Sequence, residues 1–313
     1  MEIERLAVHD SVAPLCPPDA LADALAELDA TVEVVGDDAA ADADVMADYD
    51  AVVTLEHREA FLAVPWVHLV VVGTSQIPVA AYRDAGVALT NSAGFQGDAV
   101  GETVLAFMLA FARGVRQYVA AQERHEWEPL APEEVFTLEG ESLCVVGLGN
   151  LGRGIAARAD AVGMTVTGVR RDPDPVEHVQ AVYAADDLHE ALADARFVAL
   201  AVPLTDDTRD LIGAAELAAM REDAYLVNVA RGDVVTEDAL VHALADDGIA
   251  GAALDVFERE PLPSESPLWD LESVVITPHR ASLSADYYRE VAAIVRENAA
   301  ALRAGGALRN RVD

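Results

Sequence analysis

The sequence predicts an α/β protein built on parallel sheets and divided into two domains. Three observations carry that reading. The chain has 313 residues, about two domains' worth at ~100–200 residues each. Apolar residues make up 52% of it, enough for a sizeable buried core. Short apolar runs alternate with helical patterns along its length, as in βαβ units.

The elements follow in order. Leu6-Ala7-Val8 reads as a first strand, 19–30 as a helix and 31–35 as a second strand. Ala51-Val52-Val53 and Leu69-Val70-Val71-Val72 read as further short strands. A long helical pattern covers 98–122, with Ala, Leu, Met and Phe on one face; a polar, proline-containing connector follows at 123–141. A new alternation then begins with a strand at 142–146, a helix at 153–161 and a strand at 164–169. Three more strands are expected at 225–230, 249–256 and 274–277. A last helix spans 284–304, and the tail Asn310-Arg311-Val312 is expected to rejoin the first region. The result is a discontinuous outer domain, 1–98 and 283–313, around a continuous inner domain, 99–282.

Charge narrows the function. Lys+Arg is 21 and Asp+Glu is 55, a net charge of −34, and every one of the 21 is arginine. A basic nucleic-acid footprint is excluded, as is adhesion to an anionic membrane surface. Self-repulsion at this charge destabilises the compact state in dilute buffer. At ~1 M salt the Debye length is roughly 3 Å and the repulsion is screened. A halophilic protein of a salt-rich cytoplasm is therefore expected. The acidic start, Met1-Glu2-Ile3-Glu4, predicts no secretory leader. The apolar stretch 103–112 is too short to span a bilayer. Two cysteines, Cys16 and Cys144, make no disulfide framework.

Gly147-Leu148-Gly149-Asn150-Leu151-Gly152 matches GxGxxG between an expected strand and an expected helix, the context of a dinucleotide fingerprint. Gly147 permits the tight turn, Gly149 lets the backbone approach a pyrophosphate, and Gly152 allows close helix–sheet packing. The helix start offers N–H groups and a positive dipole end to the phosphates. At the end of the next strand an NAD site carries an acid for the ribose 2′-hydroxyl. Here Arg170-Arg171-Asp172 stands there. Two guanidiniums suit a 2′-phosphate, so NADP is the expected cofactor, with NAD a second possibility through Asp172.

Three apolar strands each lead into a chemically active residue: Arg231, the carboxylate pair Glu258 and Glu260, and His279. Ligands of open parallel sheets bind outside the carboxyl ends of strands. Arginine grips a carboxylate through two parallel hydrogen bonds. Histidine passes a proton at neutral pH, and a neighbouring carboxylate stabilises its charged form. The trio suits reduction of a 2-ketoacid. No histidine–carboxylate spacing matches a zinc motif, so no catalytic metal is expected. Among the other histidines, His57 is the one most expected to face a site. The apolar helix around 102–111 is expected to serve core and dimer contact, giving a homodimer.

The chain resembles the D-isomer-specific 2-hydroxyacid dehydrogenases over about 70–300. The resemblance rests on the fingerprint above, on Val202-Pro203-Leu204-Thr205 with Thr208, on Val227-Asn228-Val229-Ala230-Arg231-Gly232, on Ala253-Leu254-Asp255-Val256-Phe257, on Glu260-Pro261-Leu262 and on Thr277-Pro278-His279. It implies two Rossmann-like domains with parallel sheets, the outer one holding substrate and the inner one the dinucleotide. It places the catalytic arginine, glutamate and histidine on Arg231, Glu260 and His279. Pro203, Thr208, Val229 and Ala230 fall in cofactor-binding segments, and Asp255 matches the contact to the nicotinamide amide. Val72 and Gly73 match a loop whose N–H groups bind the substrate carboxylate. That loop, Val71 to Gln76, departs from the family's glycine-rich pattern, and Arg280 stands where an apolar residue is commoner. The expected function is NADPH-dependent reduction of a small 2-ketoacid to a D-2-hydroxyacid. The alternative is a catalytically silent dinucleotide-sensing module of the same fold.

Overall fold

The computed structural model describes residues 1–74 and 76–312. It divides into two compact units, Met1–Phe95 with Leu283–Asp313, and Gln96–Ser282.

The first unit holds five parallel strands: β1 (Arg5–His9), β2 (Thr31–Val35), β3 (Ala51–Thr54), β4 (Trp66–Leu69) and β5 (Ala88–Asn91), in the order β2-β1-β3-β4-β5. β3 and β4 are buried along their whole length, as strands covered on both faces of a parallel sheet are. Leu6, Val8, Trp66 and Val291 pack on one side, and Ala7, Val52, Val67 and Tyr82 in a second cluster.

Two expectations shift here. The helix Pro18–Leu25 stops short of residue 30, because the chain tightens into i→i−3 bonds at Ala26 and Leu28. Of the run Leu69 to Val72, only Leu69 belongs to a strand. β4 lies earlier, at Trp66–Leu69, in register with Ala51–Thr54 and Ala88–Asn91. The chain leaves the ladder at Val70, so Val70 to Val72 form a loop at the carboxyl edge. The tail does return: Thr90 bridges Arg311 antiparallel, and Val312 N–H donates to Leu89 O.

The second unit holds seven parallel strands: β6 (Ser142–Val146), β7 (Thr165–Val169), β8 (Ala181–Tyr183), β9 (Phe197–Leu200), β10 (Tyr225–Asn228), β11 (Gly251–Leu254) and β12 (Val274–Ile276). Their order is β12-β11-β10-β9-β6-β7-β8. Strand order reverses between β6 and β9, the point where such sheets bind dinucleotides. The helix expected over 98–122 is two helices, Gly97–Ala112 and Val115–Glu123, bent by 69° at the break. Gly114 makes the bend with φ 61°, a left-handed conformation that glycine adopts without strain. No single helix among the described residues is long and apolar enough to cross a membrane.

Candidate active site

The glycines of the fingerprint do three separate jobs. Gly147 leaves β6 with φ 97°, and a Cβ there would sit 2.7 Å from Ala201 O. A Cβ on Gly152 would sit 1.9 Å from Gly147 O, so only glycine lets the helix approach the turn. Gly149 faces open space, where a Cβ would meet nothing within 4 Å. It is also the N-cap of helix Asn150–Ala161, and no side chain caps that end. The helix starts three residues before the expected Arg153, so Asn150, Leu151 and Gly152 form its first turn. An exposed backbone approach and an uncapped helix start fit a pyrophosphate.

Arg170 and Arg171 follow β7, with Arg170 half-buried and Arg171 and Asp172 exposed. Among the described residues neither guanidinium has a side-chain hydrogen bond or ion-pair partner. In a chain with 55 acids, that leaves a positive pair open to an anion. After β9, the Thr208 hydroxyl donates to Pro203 O at 2.6 Å, and Thr205 N–H donates to Thr208 Oγ1 at 2.8 Å, closing this loop. Val229 and Ala230 are buried below β10.

The three strand-end candidates follow β10, β11 and β12, which are neighbours in the sheet. Buried Asn228 shapes the first turn: its Oδ1 accepts Ala230 N–H and its Nδ2 donates to Arg231 O, both at 3.0 Å. Arg231 Nη1 donates to Ala230 O at 2.6 Å. The next residue, Gly232, packs against the following loop, and a Cβ on it would fall 1.8 Å from the Phe257 carbonyl carbon. Backbone-to-backbone contact of this kind brings the Arg231 loop beside the one that carries Glu260.

His279 Nδ1 lies 2.8 Å from Glu260 Oε2, and Glu260 Oε1 accepts Phe257 N–H at 3.1 Å. Partial burial works to raise the Glu260 pKa. The His279 bond, the Phe257 N–H and the Arg231 charge outweigh it and hold the carboxyl below its usual range. The other carboxylate, Glu258, is committed elsewhere: its Oε1 accepts Glu237 N–H at 2.9 Å at the start of helix Glu237–Ala245. The choice between the two acids falls on Glu260.

Asp255 is buried and holds the His279 segment together. Its Oδ1 accepts the Thr277 hydroxyl at 2.6 Å and Arg280 N–H at 2.8 Å, and its Oδ2 accepts Ala281 N–H at 2.9 Å. Its backbone oxygen accepts His279 N–H at 2.8 Å, and His279 sits at φ 55°. Three of the roughly four acceptor sites of the carboxylate thus serve this segment.

In the first unit, Val72 is exposed and its carbonyl accepts Asn91 Nδ2 at 2.9 Å. Gly73 is half-buried beside it. The Tyr287 hydroxyl donates to Val70 O at 2.7 Å. Ser75 of the same loop lies outside the described residues. The His57 ring bonds the Tyr82 hydroxyl at 2.8 Å. Sequence reasoning missed Asn228 and Asn91. Both stand at the last residue of a strand, where an amide side chain satisfies the backbone of the following turn.

Fold and site together define an oxidoreductase that uses a nicotinamide dinucleotide. The family described as D-isomer specific 2-hydroxyacid dehydrogenase, NAD binding domain, matches residues 105–281. The chain is 35% identical over 272 residues to a glyoxylate reductase of Korarchaeum cryptofilum, covering 82% of this chain and 81% of that one. It is 37% identical over 227 residues to a D-3-phosphoglycerate dehydrogenase of Methanocaldococcus jannaschii, covering 72% of this chain and 43% of that one. Among solved structures it is similar to an NADPH-dependent glyoxylate/hydroxypyruvate reductase of Sinorhizobium meliloti in complex with NADP and sulfate. That match has a TM-score of 0.82, 27% identity, and coverage of 99% of this chain and 98% of the other. The chain belongs to the D-isomer specific 2-hydroxyacid dehydrogenase family, whose members are NAD(P)-dependent oxidoreductases.

Proposed function

We propose that this enzyme reduces a small 2-ketoacid to a D-2-hydroxyacid, prefers NADPH and accepts NADH less well. The observation that carries the reading is the 2.8 Å pair of His279 and Glu260, with Arg231 on the adjoining strand end. Arg231 grips the substrate carboxylate and polarises the C2 carbonyl. His279 gives a proton to the carbonyl oxygen as C2 is reduced, and Glu260 stabilises the charged imidazole that donates it. In the first unit, Val72 and Gly73 stand in the loop after β4, whose backbone N–H groups suit a carboxylate. The bound nicotinamide supplies the hydride.

Gly147, Gly149, Asn150, Leu151 and Gly152 hold the pyrophosphate. Arg170 and Arg171 hold the 2′-phosphate, supported by their lack of partners and by the name of the Sinorhizobium relative. Pro203, Thr208, Val229, Ala230 and Asp255 complete the cofactor contacts. A second copy of the chain covers exposed Leu109, Val115, Tyr118 and Val119 in a homodimer. The charge of −34 suits a halophilic enzyme of a salt-rich cytoplasm.

The test is a panel of 2-ketoacids with NADPH and with NADH, followed by nicotinamide absorbance in concentrated KCl. Turnover of at least one ketoacid, faster with NADPH, is expected. No turnover with any of them overturns the reading.

A further inference from the structure

A second cluster of chemistry stands at the carboxyl edge of the first unit's sheet. His9 ends β1, and its side chain is fully buried. Its Nε2 is shielded from solvent and has no hydrogen-bond partner. That atom lies 3.6 Å from Asp10 Oδ1 and 3.5 Å from Asp37 Oδ1. Asp37 arrives from the end of β2, which pairs with β1 through His9 and Val35. One donor atom from each of the three residues falls within 4.8 Å of the other two.

We propose that His9, Asp10 and Asp37 bind one divalent cation of the zinc class, as a structural site that ties the end of β1 to the end of β2. Donors held 2.0–2.2 Å from a tetrahedral zinc stand roughly 3.4 Å apart. The two observed separations from Nε2 meet that spacing with almost no movement. A buried ring nitrogen without a partner costs free energy, and coordination removes that cost.

Arg58 supports the site from outside. Its Nε and Nη2 donate to Asp37 Oδ1 at 3.2 and 2.9 Å, and its Nη1 donates to Glu56 Oε2 at 2.7 Å. Outer groups of this kind orient ligating carboxylates. Arg58 pairs with Asp37 and Glu56, and Asp10 lies against His9 with no guanidinium partner among the described residues, so negative charge remains for a cation to neutralise. In the metal-free ring, Nδ1 accepts Ser11 N–H at 3.4 Å, which leaves the ring proton on Nε2. Coordination moves that proton to Nδ1 and gives up the Ser11 contact, a bond at the long limit of the range.

The experiment titrates the full chain, stripped with chelator, with Co²⁺ and then Zn²⁺. It is run in about 1 M KCl, where a Debye length of ~3 Å suppresses diffuse binding to acidic surface. One Co²⁺ per chain is expected, with the visible bands of a tetrahedral site and displacement by Zn²⁺. ¹⁵N spectra should show His9 exchanging its Nε2 proton for an Nδ1 proton on binding. Asp10→Asn should weaken Co²⁺ by about tenfold or more with an unchanged circular dichroism spectrum. His9→Gln should abolish the bands, and Asp10→Asn decides the matter if His9→Gln does not fold. Only weak multi-site binding, equal affinity in Asp10→Asn, or a His9 tautomer indifferent to metal overturns the proposal.

Discussion

His279 and Glu260 meet through Nδ1 and Oε2 at 2.8 Å, which directs Nε2 of the same ring away from the carboxylate. One nitrogen is committed to its acidic partner, and the other is the one that can reach a reacting oxygen. His279→Ala removes the proton donor and leaves the fingerprint untouched. Ketoacid reduction should fall by about 10²–10⁴, while NADPH binding, read by fluorescence titration, stays near wild type. Normal turnover in that variant would refute the assignment.

Glu260→Gln keeps the shape of the pair and removes its charge. The imidazole that passes the proton loses its charged neighbour, so ketoacid reduction should fall by about tenfold or more across the pH profile. The carboxyl itself also reports on stability. Its folded pKa is lowered, so it stabilises the fold above the unfolded carboxylate range, and that contribution is lost as pH falls through the folded value. A profile identical to wild type counts against Glu260 as the partner in catalysis.

Arg170→Ala with Arg171→Ala should separate the cofactors. A hydrogen bond to a charged group is worth about 1.5–3 kcal/mol, so KM for NADPH should rise by roughly 10-fold or more. KM for NADH should hardly change. Equal losses for both cofactors would show that the pair does not read the 2′-phosphate.

Salt should govern stability. With a net charge of −34, the melting temperature is expected to drop steeply below roughly 0.5 M KCl, where screening weakens. A melting temperature independent of salt removes the halophilic reading.

His68 gives a pH test away from the active site. Its ring nitrogens bond Thr90 Oγ1 at 2.8 Å and Ser92 Oγ at 2.9 Å, and burial pushes its pKa down to about 3. The unfolded imidazole titrates near 6.5, so between these values the unfolded chain binds more protons than the folded one. Stability therefore falls as pH drops from about 6.5 toward 3, by up to ~1.4 kcal/mol per pH unit from this group. His68→Gln should flatten that slope in denaturant titrations by about one proton. An unaltered slope would mean that His68 does not stay neutral in the fold.

Much of this was legible in residue order, for identifiable reasons. Parallel strands buried on both faces read as apolar runs, and Arg231, Glu260 and His279 declare themselves by following such runs. The bend at Gly114 did not, because the apolar pattern continues through it and only the backbone changes hand. Glu258 and Glu260 both follow the β11 run, and the family resemblance points to Glu260; the structure adds the bond from Glu260 to His279 and shows Glu258 taken up by the helix start at Glu237. His9 ends β1 and Asp37 stands two residues past the end of β2, and no local spacing announces them; the pairing of β1 with β2 brings them together.

Gln96–Ser282 is inserted between the two parts of the first unit. This fixes an order of assembly during synthesis. The inserted unit is complete in the growing polypeptide before helix Tyr287–Ala304 has been translated. The first unit must wait for its final helix and for the closing stitch of Arg311 onto Thr90. A nascent chain halted before that helix should therefore carry a finished nucleotide fold joined to an unfinished partner, and quality-control proteases would meet the unfinished half first.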